Sequence, residues 1–353
     1  SCSPAVNRPA AARPNSVCTS RKPAQSQPAS AVGRSLPRMC AGGCTSTANG
    51  QRIAQCPVDV PCEVHFGPGG EIREAAELLP SIVRARSEAR SSFGDDSIYV
   101  EKLVSKPRHI EVQILGDSRG NVVHLFEREC SVQRRHQKLI EEAPANRMTP
   151  DLRERICAAA VAAARAVGYE GAGTVEFLVD EKQAFYFLEM NTRVQVEHPV
   201  TELITNVDIV KTGIRIAAGE PIGFSPGDLR IDGWAIECRI CAEDPDRGFL
   251  PSPGEIVAFE PPGGPGVRVD SGVSAGAKVT AFYDPMIAKL VCWGRDRDEA
   301  IERTRRALGE FVVRGIKTTI PFHRRALENR AFLSGRYDTS FISSEMPARA
   351  PLD

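Results

Sequence analysis

The stretch Thr174-Val175-Glu176-Phe177-Leu178-Val179-Asp180-Glu181-Lys182-Gln183-Ala184-Phe185-Tyr186-Phe187-Leu188-Glu189-Met190 decides how this chain is read. Two runs rich in aromatic and branched residues flank a short polar segment, which predicts a β-hairpin. A four-residue loop over 181–184 sets Glu176 directly opposite Glu189. Opposed residues of an antiparallel pair hold their Cβ atoms roughly 4.5–5.5 Å apart, and like charges there are destabilising. Apolar neighbours deepen that cost. A hard divalent cation offsets it, because Mg²⁺ is held by one or two carboxylates together with substrate phosphates. A glutamate facing solvent, or another register, removes the need for a metal, and spacing alone leaves both readings open.

The pattern continues past the hairpin. Glu189, Asn191, Arg193, Gln195 and Glu197 are polar and spaced by two, while Met190, Thr192, Val194 and Val196 fall between them. In an extended chain, residues two apart share a side. One surface then carries two acids, two amides and an arginine. A solvated strand edge has the same pattern, although it rarely follows an aromatic strand without a turn residue. The local reading therefore favours a site.

Working outward, further elements follow. Thr149-Pro150-Asp151 starts a helix with a capping hydroxyl, a proline in the first turn and an acid near the helix N-terminus; it should run to Val167 and stop at Gly168. A helix over Glu74–Phe93 is expected to break near Pro80. Strands are expected at Ser97–Val104, Arg108–Leu115 and Asn121–Glu127, and helices at Thr201–Ala218 and Asp298–Val313. Lys+Arg and Asp+Glu are 45 each, which gives no global case for nucleic acid or a membrane surface. The longest apolar run, Cys157–Ala164, is far too short to span a bilayer. Cys40 and Cys44 lack a second pair at zinc-site spacing, and cysteines scattered singly through apolar segments suit a reducing compartment.

Longer motifs make the reading specific. Phe187–Glu202 (FLEMNTRVQVEHPVTE), Glu129–Lys138 (ECSVQRRHQK) followed by Glu141-Glu142-Ala143-Pro144, Glu237–Pro245 (ECRICAEDP) and Tyr283–Leu290 (YDPMIAKL) together resemble the signatures of biotin carboxylases within the ATP-grasp superfamily. The resemblance runs from about Ile72 to Ile342. It implies an α+β fold: an ATP-grasp core, an antiparallel sheet with flanking helices, followed by a biotin carboxylase C-terminal α+β domain, without the family's amino-terminal Rossmann-like domain. The expected boundaries are 1–70, 71–225, 226–345 and a tail over 346–353, with the ATP-grasp lid truncated. Another ATP-grasp ligase, of the carbamoyl-phosphate type, shares the metal acids but is not expected to carry the Arg-Arg-His-Gln-Lys and Glu-Cys-Arg-Ile segments.

The resemblance also implies roles. Glu101, Lys102 and Leu103 would take the adenine, and His109, Gln133 and His136 would line the nucleotide. Glu176, Glu189 and Asn191 would hold two Mg²⁺ or Mn²⁺ ions. Lys138, Arg193, Gln195 and Val196 would form the bicarbonate pocket, Glu197 the general base, and Arg239 the arginine facing biotin. ATP then phosphorylates bicarbonate, a step governed by positioning and charge neutralisation. Carboxyphosphate yields CO₂, phosphate takes the ureido proton of biotin, and Arg239 stabilises the resulting oxyanion. Without the resemblance, Arg239 reads rather as a structural ion pair with Glu237 or Glu243. His124 and His198 read as structural.

Residues 1 to about 65 read differently. They are rich in Ser, Ala, Pro, Arg and Cys, with no acid before Asp59. Such a segment is expected to be disordered. It reads as a transit peptide, a natural tail, or coding text out of frame. Gly67-Pro68-Gly69-Gly70 is a weak phosphate-loop candidate, since Pro68 lacks an N–H. Because the lid is missing from the pattern, weak or no activity is expected of the chain alone; association with an intact carboxylase is the non-enzymatic alternative. The implied partners are a biotin carboxyl carrier protein, a carboxyltransferase and a second copy of the chain, with no nucleic acid and no membrane. The implied assembly is an acetyl-CoA, propionyl-CoA or pyruvate carboxylase, the first placing it in fatty acid biosynthesis. The expected location is cytoplasmic, or a plastid or mitochondrion if residues 1–60 are a transit peptide.

Overall fold

An eight-stranded antiparallel sheet organises the molecule. The computed structural model describes residues 74–98 and 101–346, with the backbones of short strands at Thr45–Ala48, Gln51–Ala54, Val64–Phe66 and Gly70–Ile72. The reading of Gly67-Pro68-Gly69 as a phosphate loop, and most of residues 1–70, lie outside the described residues, as does the tail over 347–353.

Numbered along the chain, the sheet strands are β1 Arg108–Gly116, β2 Val122–Arg134, β3 Gln137–Ala143, β4 Gly171–Val179, β5 Phe185–Asn191, β6 Trp234–Cys241, β7 Val267–Ser271 and β8 Met286–Gly294. Their spatial order is β5-β4-β1-β2-β3-β6-β8-β7. The expected C-terminal domain is thus joined edge to edge with the ATP-grasp region: β6 pairs with β3, Ala235 facing Ala143 and Cys238 facing Ile140.

The main helices are α1 Leu78–Phe93, α2 Pro150–Ala166, α3 His198–Thr205, α4 Ile209–Ala217 and α5 Arg297–Glu310, followed by short helices at Ile320–Ala326, Arg330–Leu333 and Phe341–Glu345. The Thr149 hydroxyl caps α2 by accepting from the Leu152 amide at 3.2 Å. Leu152, Ile156, Ala160 and Ala164 recur every fourth residue and are buried, so one stripe of α2 seats on β1 and β2. Burying each large aliphatic side chain there contributes about 1.5–3 kcal/mol. On β3, β6 and β8 a second core gathers Ile140, Ile236, Ile240 and Leu290 beneath α5 residues Ile301 and Leu308. Every residue of β1 is buried.

Several expectations are corrected. Pro80 does not break α1: it falls in the first turn, where a missing N–H costs nothing. The helix expected over Thr201–Ala218 is two helices, because Asn206 adopts a left-handed conformation (φ 56°) and closes α3. Among the described residues of the expected strand Ser97–Val104, only Glu101–Lys102 is paired as a strand. The Asp298–Val313 helix ends at Glu310, and Val312–Arg314 forms a strand instead.

Candidate active site

The hairpin β4–β5 places Glu189 opposite Glu176, as the sequence implies, but by a different route. The turn is tighter: the Asp180 amide donates to the Ala184 carbonyl at 2.9 Å, and Val179 pairs with Phe185. A bulge at Leu188, between the pairs Phe187–Phe177 and Glu189–Glu176, then restores the register. The acids are not left to repel each other. The Asn191 amide donates to Glu176 at 3.1 Å and to Glu189 at 3.0 Å, bridging them.

Glu176 lies at the rim of a buried charge cluster. Its carboxylate accepts from Gln195 Nε2 at 2.7 Å and Lys138 Nζ at 2.9 Å, and His109 Nε2 approaches it at 2.8 Å. Lys138 also donates to Glu197 at 2.6 Å and to Glu111. Beneath them the fully buried Arg128 binds Glu111, Gln113 and Gln195, with Thr174 and Thr201 completing its shell. Burial works to raise the Glu176 carboxyl, but the adjacent His109 and Lys138 outweigh it and hold it at about 2. For Glu111 burial is likewise outweighed, by Arg128 and Lys138, and it too stays near 2. Lys138 is raised: its acid neighbours exceed the burial that opposes its charge.

Glu197 links this cluster to Arg239. One carboxylate oxygen accepts from Lys138, and the other accepts from Arg239 Nη2 at 2.9 Å. Arg239 Nε donates to Glu141 at 2.5 Å. Its partners are therefore Glu141 and Glu197, rather than the Glu237 or Glu243 that the sequence suggested. Lys289 Nζ donates to the Val196 carbonyl at 2.8 Å and fixes the segment before α3.

The remaining expected residues are placed unevenly. Gln133 is half-buried and faces Lys138 across the β2–β3 ladder. His136 and Arg135 form the tip of that hairpin, both left-handed at φ 66° and 48°. Non-glycine residues there cost on the order of 1–2 kcal/mol each, and such strain concentrates at functional sites. Leu103 is half-buried; the backbones of Glu101 and Lys102 pair with Val64–His65, and their side chains lie outside the described residues. Arg193 is not brought into the cluster: it is exposed and donates to the Val194 carbonyl at 3.4 Å. The alternation expected from Glu189 to Glu197 ends at Asn191, where the strand stops; Gln195 and Glu197 turn inward while Arg193 turns out. Sequence reasoning passed over Glu111, Arg128, Glu141 and Lys289. For Glu111 a signal existed: His109, Glu111 and Gln113 alternate with Ile110, Val112 and Ile114 in a strand.

Comparisons with known proteins fit this geometry. Residues 54–224 match the family model for the carbamoyl-phosphate synthase L chain ATP-binding domain, and residues 237–344 match the biotin carboxylase C-terminal domain. A pyruvate carboxylase subunit of Methanothermobacter thermautotrophicus is 56% identical over 271 residues, covering 77% of this chain and 55% of that protein. Biotin carboxylase 1 of Bacillus subtilis is 50% identical over 283 residues, covering 79% and 63%. The chain belongs to the biotin carboxylase family. Among solved structures, a Campylobacter jejuni biotin carboxylase–ATP complex superposes with a TM-score of 0.77 at 46% identity, covering 81% of this chain and 65% of that one. The biotin carboxylase domain of a thermophilic 2-oxoglutarate carboxylase bound to bicarbonate superposes at 0.74 and 47% identity, covering 80% and 63%. The chain spans 55% and 63% of the length of the two curated relatives.

The donor set of this biotin carboxylase site fits a hard cation. Two carboxylates converge from facing strands and offer oxygen, while the Asn191 amide, whose N–H group bridges them, would offer its oxygen to a cation after rotating. Bound there, Mg²⁺ or Mn²⁺ would neutralise phosphate charge.

Proposed function

We propose that the chain carries out ATP-dependent carboxylation of biotin on a carrier protein, with bicarbonate as the carbon source and carboxyphosphate as the intermediate. The observation that carries this reading is Glu197, whose two oxygens tie Lys138 at 2.6 Å to Arg239 at 2.9 Å. A single carboxylate thereby stands between the cation assigned to bicarbonate and the one assigned to biotin. As general base, Glu197 takes the bicarbonate proton while Lys138 compensates the charge. Arg239, a planar fork, then faces the ureido oxygen of biotin. Glu176, Glu189 and Asn191 are the proposed ligands of two Mg²⁺ or Mn²⁺ ions; Arg193, Gln195 and Val196 complete the proposed bicarbonate pocket. Glu101, Lys102, Leu103, His109, Gln133 and His136 are proposed to contact ATP.

The proposed domain boundary falls between the two family-model matches, 54–224 and 237–344. The proposed partners are a biotin carboxyl carrier protein, a carboxyltransferase and a second copy of the chain. No helix among the described residues is long and apolar enough to cross a membrane. Among the described residues, five buried free cysteines fit the reducing compartment proposed for it, the cytoplasm.

The test is ADP release by the purified chain with Mg·ATP and bicarbonate, with and without free biotin. Biotin-stimulated release that Glu197→Gln abolishes supports the reading. Background release from a folded chain removes it and favours association with an intact carboxylase, which gel filtration of the two together detects.

A further inference from the structure

Glu237 on β6 is fully buried, and neither of its carboxyl oxygens meets a hydrogen-bond donor. It stands directly opposite Glu141 on β3. Glu141 is also fully buried; its Oε1 accepts from Arg239, while its Oε2 has no donor. Facing residues of an antiparallel pair lie within roughly 5.5 Å at Cβ, so the donorless oxygens belong to neighbouring carboxyl groups.

The charges around them do not resolve this. Glu141 faces Arg239 from β6, Glu197 from the segment before α3, and Lys138 on its own strand. Glu237 faces Glu141 from β3, Lys289 from β8, Glu197, and Arg239 on its own strand. Each of these cations is already committed. Arg239 binds Glu141 and Glu197, Lys138 binds Glu111, Glu176 and Glu197, and Lys289 binds the Val196 carbonyl and approaches Asp270 at 3.4 Å. Two ionised carboxylates, opposed, dry and without a donor between them, are strongly unfavourable.

We propose that Glu237 and Glu141 share one proton, held chiefly by Glu237, and that the charge left on Glu141 positions Arg239. The pair touches no reacting atom; both are positioning residues. Its consequence for catalysis rests on the reading of Arg239 as the arginine facing biotin. Burial supports the arrangement: it drives Glu237 well above the ordinary carboxylate range, with Glu141 adding to the rise, and brings Glu141 to about 7 despite Arg239. Acidification then neutralises Glu141 and leaves Arg239 held by Glu197 alone.

Infrared spectra of the full chain in D₂O test the pairing without requiring activity. At mildly alkaline pH a protonated-carboxyl C=O band is expected, which Glu237→Gln removes and Glu141→Gln shifts in frequency. Absence of the band from the unmodified chain, or its survival in Glu237→Gln, overturns the proposal. Should Glu237→Gln fail to fold, the Glu141→Gln spectrum decides, because an unmoved band means the proton is not shared. The positioning role is read in biotin-stimulated ADP release: Glu141→Gln is expected to raise the KM for biotin about tenfold and leave the KM for ATP unchanged, with partial rescue by Glu141→Asp. Equal changes in both KM values overturn the positioning role. An inactive chain that keeps the infrared signature counts against the proposed function and not against the pair.

Discussion

Glu176 and Glu189 face each other across one hairpin, yet their surroundings differ sharply. Glu176 is buried and meets His109, Lys138, Asn191 and Gln195. Glu189 is exposed and accepts from Asn191. The same contrast divides Lys138, held by three acids inside, from Arg193, which lies outside. The inner end is fixed by folding, so its groups meet a reactant without reorganising. The outer end, Glu189 and Arg193, is the part proposed to meet an incoming ligand. Preorganisation and vacancy are split between facing strands.

The largest expected effect comes from emptying the inner end. Lys138→Ala leaves Glu111, Glu176 and Glu197 buried without their shared cation, and is expected to destabilise the fold by about 3–5 kcal/mol. Urea titration reads this directly, and a loss below about 1 kcal/mol would mean that the inner cluster is not structural. Glu176→Gln keeps shape but gives up charge-assisted bonds, and about 1.5–3 kcal/mol is expected. If Glu189→Gln costs as much, the contrast between the two acids disappears.

Acidity should divide the two ends as well. Glu111 and Glu176 sit near 2 in the fold against 4.5 when free, so their stabilisation is present above about 4.5 and lost as pH falls towards 2. Glu141 runs the other way: raised from 4.5 to about 7, its contribution is complete below about 4.5 and lost as pH rises through about 7. Urea midpoints measured across this range should fall at both extremes, and Glu141→Gln should make the alkaline limb alone shallower, the part due to Glu237 remaining. An unchanged alkaline limb in that variant refutes the assignment. Smallest in stability are Glu189→Ala and Arg193→Ala, each expected within about 0.5 kcal/mol of the parent. Both should nevertheless depress bicarbonate-dependent ADP release by roughly tenfold or more, since each removes a charge proposed to face a ligand. A large stability loss without a kinetic one would reverse their roles.

How far the sequence could be read follows from the same contrast. The hairpin, the capped helix α2 and the opposed acids were legible because periodicity and turn chemistry are local. The Leu188 bulge was not: two one-residue differences cancel, and only the final register shows. The ion pair read for Arg239 named the wrong acids, Glu237 or Glu243, because its partners come from β3 and the segment before α3, distant in sequence. Arg128 carried no local mark at all, since its meaning depends on β1, β4 and two later segments arriving around it. Local rules named the elements; long-range pairing chose which polar groups would be buried together.

The β3–β6 ladder has a mechanical consequence. The strand carrying Lys138 and the strand carrying Arg239 are neighbours in one sheet, paired from Ala143–Ala235 to Ile140–Cys238. There is no joint between these strands about which they can swing apart without breaking backbone hydrogen bonds. The spacing between the two cations is therefore a rigid gauge, fixed before any reactant arrives. If the two proposed steps are performed across it, they inherit one ruler, and what passes between them has to fit that length.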